Sequence, residues 1–312
     1  MTQRASLSSP DLSADLTSSE GQNAIGLISR RSWLKRAIVG AAGVTLGTGA
    51  YTHWFEPYWV EIVHRDLPVA GLPSHLQGKT LVQVSDIHIG DRVSDSFLIH
   101  WFKQIAEWKP DIVAFTGDFL TLNRDGSLPC EKMQNVLQHF PRGRLATVGI
   151  LGNHDYGIGW SERRAAEQVT RIATDSGLTI LRDECFELDG LQIIGLDDYW
   201  SPNFYGAKYL RQSELNRPTV VLCHNPDVAA LPIWCGYRGW ILSGHTHGGQ
   251  CKPPFMRPPL LPIRNRQLYS GEFDFREGHR LYVNRALGHS IPVRFNVRPE
   301  ITVFRLVEEI PT

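Results

Sequence analysis

Five times between residues 80 and 250 a short apolar run stops at a string of small residues and metal-ligand types. The strings are Asp86-Ile87-His88, Gly117-Asp118, Gly152-Asn153-His154-Asp155, His224-Asn225 and Gly244-His245-Thr246-His247. An apolar run of β-formers that gives way to Gly, Asp, Asn or His reads as a strand ending in a loop. Between the early strings apolar residues recur at helical spacing, as in Phe97, Leu98, Trp101, Phe102 and Ile105. Strand, polar string and helix in that order bring the carboxyl ends of neighbouring strands to one rim of a sheet.

The pattern predicts strands over 80–85, 111–116 and 146–151, and helices over 94–108, 133–140 and 164–175, the last capped by Ser161. Further on come short strands over 178–181, 184–188, 191–196, 220–223, 239–242, 280–284 and 301–306. Helices early and paired strands late predict an α/β (α+β) fold, a four-layer α/β/β/α sandwich of two mixed sheets. A Pro-rich stretch over 252–262 reads as a semi-rigid loop. No internal repeat is visible.

Lys plus Arg and Asp plus Glu both number 32, so no nucleic-acid surface of the usual basic kind is expected. The five cysteines are scattered and never in C-x-x-C spacing, which implies no disulfide framework. Cys223 and Cys251 border ligand strings and read as buried, inert thiols.

Residues 2–26 are Ser/Thr-rich without apolar periodicity and are expected to be disordered. Ser29-Arg30-Arg31-Ser32-Trp33-Leu34-Lys35 then precedes a Gly-rich apolar run over 37–50, shorter than the roughly 20 apolar residues that span a bilayer. The string resembles a bacterial twin-arginine export signal. That resemblance implies the translocase as partner and a destination in the periplasm or on the outer face of the cytoplasmic membrane. The division expected is 1–50 for the disordered start and signal, and 51–312 for the folded domain. Trp54, Phe55, Tyr58 and Trp59 are expected to lie in a first strand packed on the domain, or at a membrane interface if the signal stays attached.

Carboxylate, amide and imidazole donors together suit borderline metals such as Mn, Fe or Zn, and the donors here exceed the needs of one ion. Two ions sharing a carboxylate is the economical arrangement. Asp86 and His88, one residue apart in an extended segment, are expected to face one side, and His245 with His247 has the same spacing.

The order D-x-H, GD, GNHD, H, GHTH resembles the calcineurin-like metallophosphoesterase superfamily over roughly residues 80–250. The resemblance implies that Asp86, His88 and His247 hold a first metal and Asn153, His224 and His245 a second, with Asp118 bridging and His154 free of metal. Glu56-Pro57, Leu72-Pro73, Gly248-Gly249-Gln250, Asn284-Arg285-Ala286-Leu287-Gly288 and Arg298-Pro299-Glu300-Ile301 resemble its exported bacterial phosphodiesterase branch. Ala286 departs from the Gly expected there. The Gly117-Asp118 block lacks the Asp-Arg-Gly continuation of Ser/Thr protein phosphatases, which disfavours that activity.

Two metals can activate a bridging water and stabilise the attacking and leaving oxygens of an in-line displacement. His154 is then the expected general acid, with Asp155 as the residue that would orient it. Asp197 and Asp198 either approach the substrate or make a plain turn. Gly248 and Gly249 either bring backbone close to the site or make an ordinary tight turn. The expected activity is a dinuclear metal-dependent phosphodiesterase. The alternatives are a pyrophosphohydrolase or phosphatase of a lipid-linked envelope intermediate, suggested by Phe255, Met256, Leu260 and Leu261 in the Pro-rich loop, and a metal-stabilised binding protein without catalysis.

Overall fold

The computed structural model describes residues 29–202 and 204–309. The stretch 2–26, expected to be disordered, lies outside the described residues. The chain divides between Leu46 and Gly47 into two units. Helix α1 (Arg30–Ala50) carries the twin-arginine pair in its first turn and buries none of its residues. No helix among the described residues is long and apolar enough to cross a membrane.

In the second unit the aromatic run does not form the expected strand. Tyr51–Phe55 is a wide π-helical turn and Glu56–Tyr58 a tight 3-10 turn, and strand β1 begins only at Glu61. Pro57, early in the second of these turns, has a φ preset for helical entry, which favours the turn over an extended start.

The strands are β1 (Glu61–Val69), β2 (Thr80–Val84), β3 (Ile112–Thr116), β4 (Ala146–Ile150), β5 (Thr179–Ile180), β6 (Glu184–Leu188), β7 (Leu191–Gly195), β8 (Thr219–Leu222), β9 (Trp240–Ser243), β10 (Gly271–Asp274), β11 (Arg280–Val283) and β12 (Glu300–Glu308). They form two six-stranded mixed sheets, ordered β1-β12-β2-β3-β4-β5 and β10-β11-β9-β8-β7-β6. β12 lies between β1, to which it runs parallel, and β2, to which it runs antiparallel.

Alternation within the strands explains the layers. In β3, Ile112 and Ala114 face the core shared by the sheets, together with Leu191, Val220, Leu222, Leu242 and Phe304. Val113 and Phe115 face the opposite way, onto α2 (Asp95–Glu107), α3 (Cys130–Leu137) and α4 (Arg163–Asp175), through Leu98, Phe102, Met133 and Val169. Both faces are apolar because both are covered, as parallel strands require. The outer face of the second sheet packs on α5 (Gly206–Gln212) through Leu210, and on Val228, Trp234 and Tyr237. The result is the expected four-layer sandwich. One cap differs: α4 begins after Glu162, and Ser161 makes no cap bond to its amides. The hydroxyl of Ser161 donates instead to the Ile158 carbonyl at 3.5 Å.

β2, β3 and β4 are parallel in one sheet, and β8 and β9 are parallel in the other. Each of the five polar strings follows the carboxyl end of one of these strands. The two sheets are tied near this rim by Gln83, fully buried on β2, whose amide donates to Thr116 Oγ1 and to the Ser243 carbonyl on β9, each at 3.0 Å. Replacing Gln83 by Ala would leave two buried acceptors short of a donor, at about 1–3 kcal/mol. Denaturant unfolding of Q83A is expected to show a loss of that size; an unchanged midpoint would mean the tie contributes nothing.

Candidate metal centre

Five of the seven expected ligands stand in left-handed backbone: Asp86 at φ 51°, His88 at 47°, Asp118 at 60°, His245 at 70° and His247 at 52°. Non-glycine residues seldom adopt this region, and such strain persists only where surrounding structure enforces it. The expectation that Asp86 and His88 share a side because their segment is extended is therefore corrected. They converge because each sits on a left-handed kink, held by Asp86 N–H donating to the Gly117 carbonyl at 2.9 Å and His88 N–H to the Asp118 carbonyl at 3.2 Å.

Two clusters result. Donor atoms of Asp86, His88, Asp118 and His247 lie within 4.8 Å of one another, and so do those of Asp118, His224 and His245. Asp118 belongs to both. Its Oδ2 is 3.3 Å from His224 Nε2 and 3.6 Å from His88 Nε2, while its Oδ1 accepts the His154 backbone N–H at 2.9 Å. Asn153 joins the second cluster, its Oδ1 3.3 Å from His224 Nε2.

The hydrogen bonds set which nitrogens face inward. His224 Nδ1 donates to the Thr116 carbonyl at 2.8 Å, and His245 Nε2 to the Pro262 carbonyl at 2.8 Å. In the neutral rings this leaves His224 Nε2 and His245 Nδ1 as bare lone pairs 3.1 Å apart. His88 Nδ1 pairs with Thr121 Oγ1 at 2.9 Å, and its Nε2 lies 2.9 Å from His247 Nε2, itself 3.2 Å from Asp86 Oδ1. Facing lone pairs beside two buried carboxylates call for a cation between them, and outer carbonyl and hydroxyl partners of this kind orient metal-binding imidazoles.

The charges of the side chains point the same way. Burial would raise Asp118, but the imidazoles of His224, His154 and His88 override it and hold the carboxyl well below its usual range. Burial likewise opposes ionisation of Asp86, yet His247 brings it down to about 2. Burial would lower His224, but Asp118 holds it well above the ordinary histidine value, while burial and His224 together push His245 down to about 3. Space has been cleared for the same groups: a Cβ on Gly152 would collide with the backbone nitrogen and carboxylate of Asp118.

His154 sits half-buried at the edge of the clusters, its ring centroid 4.9 Å from that of His88. Asp155 does not orient it. Its buried carboxylate accepts three backbone N–H groups, from Gly152 at 2.8 Å, Phe119 at 2.9 Å and Asp118 at 3.1 Å, and so pins the β3 and β4 loops together. Asp197 is committed to Tyr156 Oη and to Arg182, the latter at 3.3 Å. Asp198, 1% exposed, accepts the Trp200 N–H, and burial pushes its carboxyl up to about 7 against the pull of His224. Both carboxylates are buried, and Asp198 lies close enough to His224 and Asp118 to feel their charge. Gly248 and Gly249, at φ 63° and 80°, make a tight turn where side chains would strike Val297 and Pro258, and Gly249 also lines a cavity beside His245 and His247. Cys223 is a buried thiol raised well above its ordinary value by burial, and neither it nor Cys251 belongs to a ligand cluster. Thr116, Thr121 and Pro262, which orient the imidazoles, carry no sequence signal beyond standing near ligand strings or in the Pro-rich loop.

Residues 79–249 match the family described as calcineurin-like phosphoesterase. The chain is 32% identical to the metallophosphoesterase YkuE of Bacillus subtilis, over 89% of this chain and 98% of that one. It is 29% identical to the phosphodiesterase YaeI of Escherichia coli, over 90% and 100%. With the UDP-2,3-diacylglucosamine pyrophosphatase LpxG of Chlamydia muridarum it shares 28% identity over 84% and 94%.

Asp155→Ala leaves three buried amide donors without their shared acceptor, so it is expected to cost about 3 kcal/mol and to lower metal content. Thermal melts with and without added Mn²⁺ check this. A variant as stable as the parent and fully loaded would show that the loops do not need the staple.

Proposed function

The chain belongs to the calcineurin-like phosphoesterase family, and we propose that it is a phosphodiesterase that works with two metal ions, drawn from Mn, Fe and Zn, and is exported folded by the twin-arginine pathway. The observation that carries the reading is the position of Asp118, whose one carboxylate serves both ligand clusters. In this reading Asp86, His88 and His247 hold one ion, Asn153, His224 and His245 the other, and Asp118 both.

Bound metals supply positive charge for the phosphoryl oxygens and a nucleophile at neutral pH. The chain itself supplies the remaining parts. Asp118 Oδ1 fixes the His154 main chain by accepting its N–H at 2.9 Å, which sets the imidazole beside the clusters while leaving it out of them. From there His154 delivers a proton to the departing alkoxide, a contribution typically of 10²–10⁴-fold. Thr116, Thr121 and Pro262 keep the ligand rings turned inward throughout.

Export is supported by the Arg30-Arg31 pair opening an exposed helix that continues, after Lys35 and Arg36, as a Gly/Ala-rich apolar run. Transport in the folded state would let the metals be acquired before export.

A second reading, hydrolysis of a pyrophosphate bond in a lipid-linked intermediate, is favoured by a cavity of about 420 Å³ beside His245 and His247, walled by Leu260, Leu261, Pro262, Ile291 and Val293. Phe255, Met256 and Leu260 stand largely exposed around the same loop, a surface suited to membrane contact. The relative LpxG, named for a diacylated sugar nucleotide, fits this second reading.

The Mn²⁺-loaded protein is expected to hydrolyse bis(p-nitrophenyl) phosphate and to lose that activity to a chelator. Activity indifferent to chelation, or none with Mn, Fe or Zn, would sink the proposal. His154→Ala is expected to keep its metal content, read by elemental analysis, while kcat falls about 10²–10⁴-fold. Preference for acylated pyrophosphate substrates over soluble diesters would select the second reading.

A further inference from the structure

Beside His154 the chain makes a short left-handed loop. Gly157 has φ 68°, Gly159 62°, and the loop ends on Trp160 at φ 56°. Glycine takes this region freely, but for an indole-bearing residue it is costly and needs a reason. The loop places the Trp160 ring 6.4 Å from that of His154 and stacks it on Trp200, with centroids 4.8 Å apart and planes at 23°. Trp200 in turn meets His245 edge-on at 4.6 Å. The indole pair therefore bridges the proton donor and one of the two ligand clusters. With Trp200 backing it, Trp160 remains 40% exposed.

We infer that Trp160, supported by Trp200, is the subsite for a planar aromatic group, such as an aryl ring or a nucleobase, on the leaving side of the scissile phosphoester bond. The side is set by His154, because the group that receives its proton must lie next to it. The ring chemistry is set by the flat indole face, which rewards another π-face and gains less from a flexible chain that would lose rotamer freedom on it. Apolar chains already have a separate place, in the cavity beside His245 and His247 that Trp160 and Trp200 do not line. The centre thus has two unlike walls, one for each substituent of a diester. This inference rests on the phosphoesterase reading above.

The test uses the full chain loaded with Mn²⁺ and two non-hydrolysable ligands, phenylphosphonate and methylphosphonate, which differ only in the ring. Calorimetry reads their dissociation constants, and competition against bis(p-nitrophenyl) phosphate reads their inhibition. The parent is expected to bind phenylphosphonate roughly tenfold more tightly, the size of one ring-on-ring contact. Trp160→Ala should erase the preference, with methylphosphonate binding unchanged, and Trp160→Phe should keep most of it. Equal binding of the two ligands by the parent, or a preference that survives in W160A, overturns the inference. Diester hydrolysis without any ring preference removes this subsite alone, whereas no phosphonate binding and no hydrolysis removes the phosphoesterase reading and the subsite with it.

Discussion

The central constraint is electrostatic. Asp86 and Asp118 are buried among His88, His224, His245 and His247, with inward lone pairs on several of the imidazoles. Buried carboxylates without compensating positive charge are costly, and the donors that face them in the two clusters are imidazoles. The site is therefore built for ions the polypeptide does not itself provide. The left-handed kinks, the carbonyl partners of His224 and His245 and the bonds of Asp155 to three amides all fix the donors so that they face one another.

The sandwich makes this possible by dividing the work between two sheets. One contributes Asp86, His88, Asp118 and Asn153 and the other contributes His224, His245 and His247, each from the loop after a parallel strand. A rim shared by two sheets can surround ions from opposite sides, which loops from a single sheet edge do less readily. Rigidity follows from burial: β2, β3, β4, β8 and β9 are almost wholly covered, so their loops start from fixed points.

Much of this was legible in the residues. Strands covered on both faces are unbroken apolar runs, so β3 and β4 are recognisable to within a residue, and the donor types after them mark the rim. β1 escaped because it reads Glu61-Ile62-Val63-His64-Arg65-Asp66, a strand with its first half open to solvent and no clean alternation. α5 is too short to show a period, and β10 alternates charge with aromatics in the manner of a loop. The role of Asp155 was misread because adjacency to His154 says nothing of direction; in a tight helical turn neighbouring side chains diverge. The left-handed backbone at Asp86 and His88 was invisible because neither is glycine, and only the long-range hydrogen bonds from their amides impose it.

The placement of β12 sets an order of events during synthesis. Glu61 pairs with Glu300 and Gln83 with Thr302, so the strand that completes the first sheet emerges from the ribosome long after its two neighbours. Until then β1 and β2 have no partner between them, and their unsatisfied edges cannot close. The rim that carries Asp86 is finished only when residues 300–308 slot in. Closure of the first sheet thereby waits on a segment far along the chain from the two strands it joins.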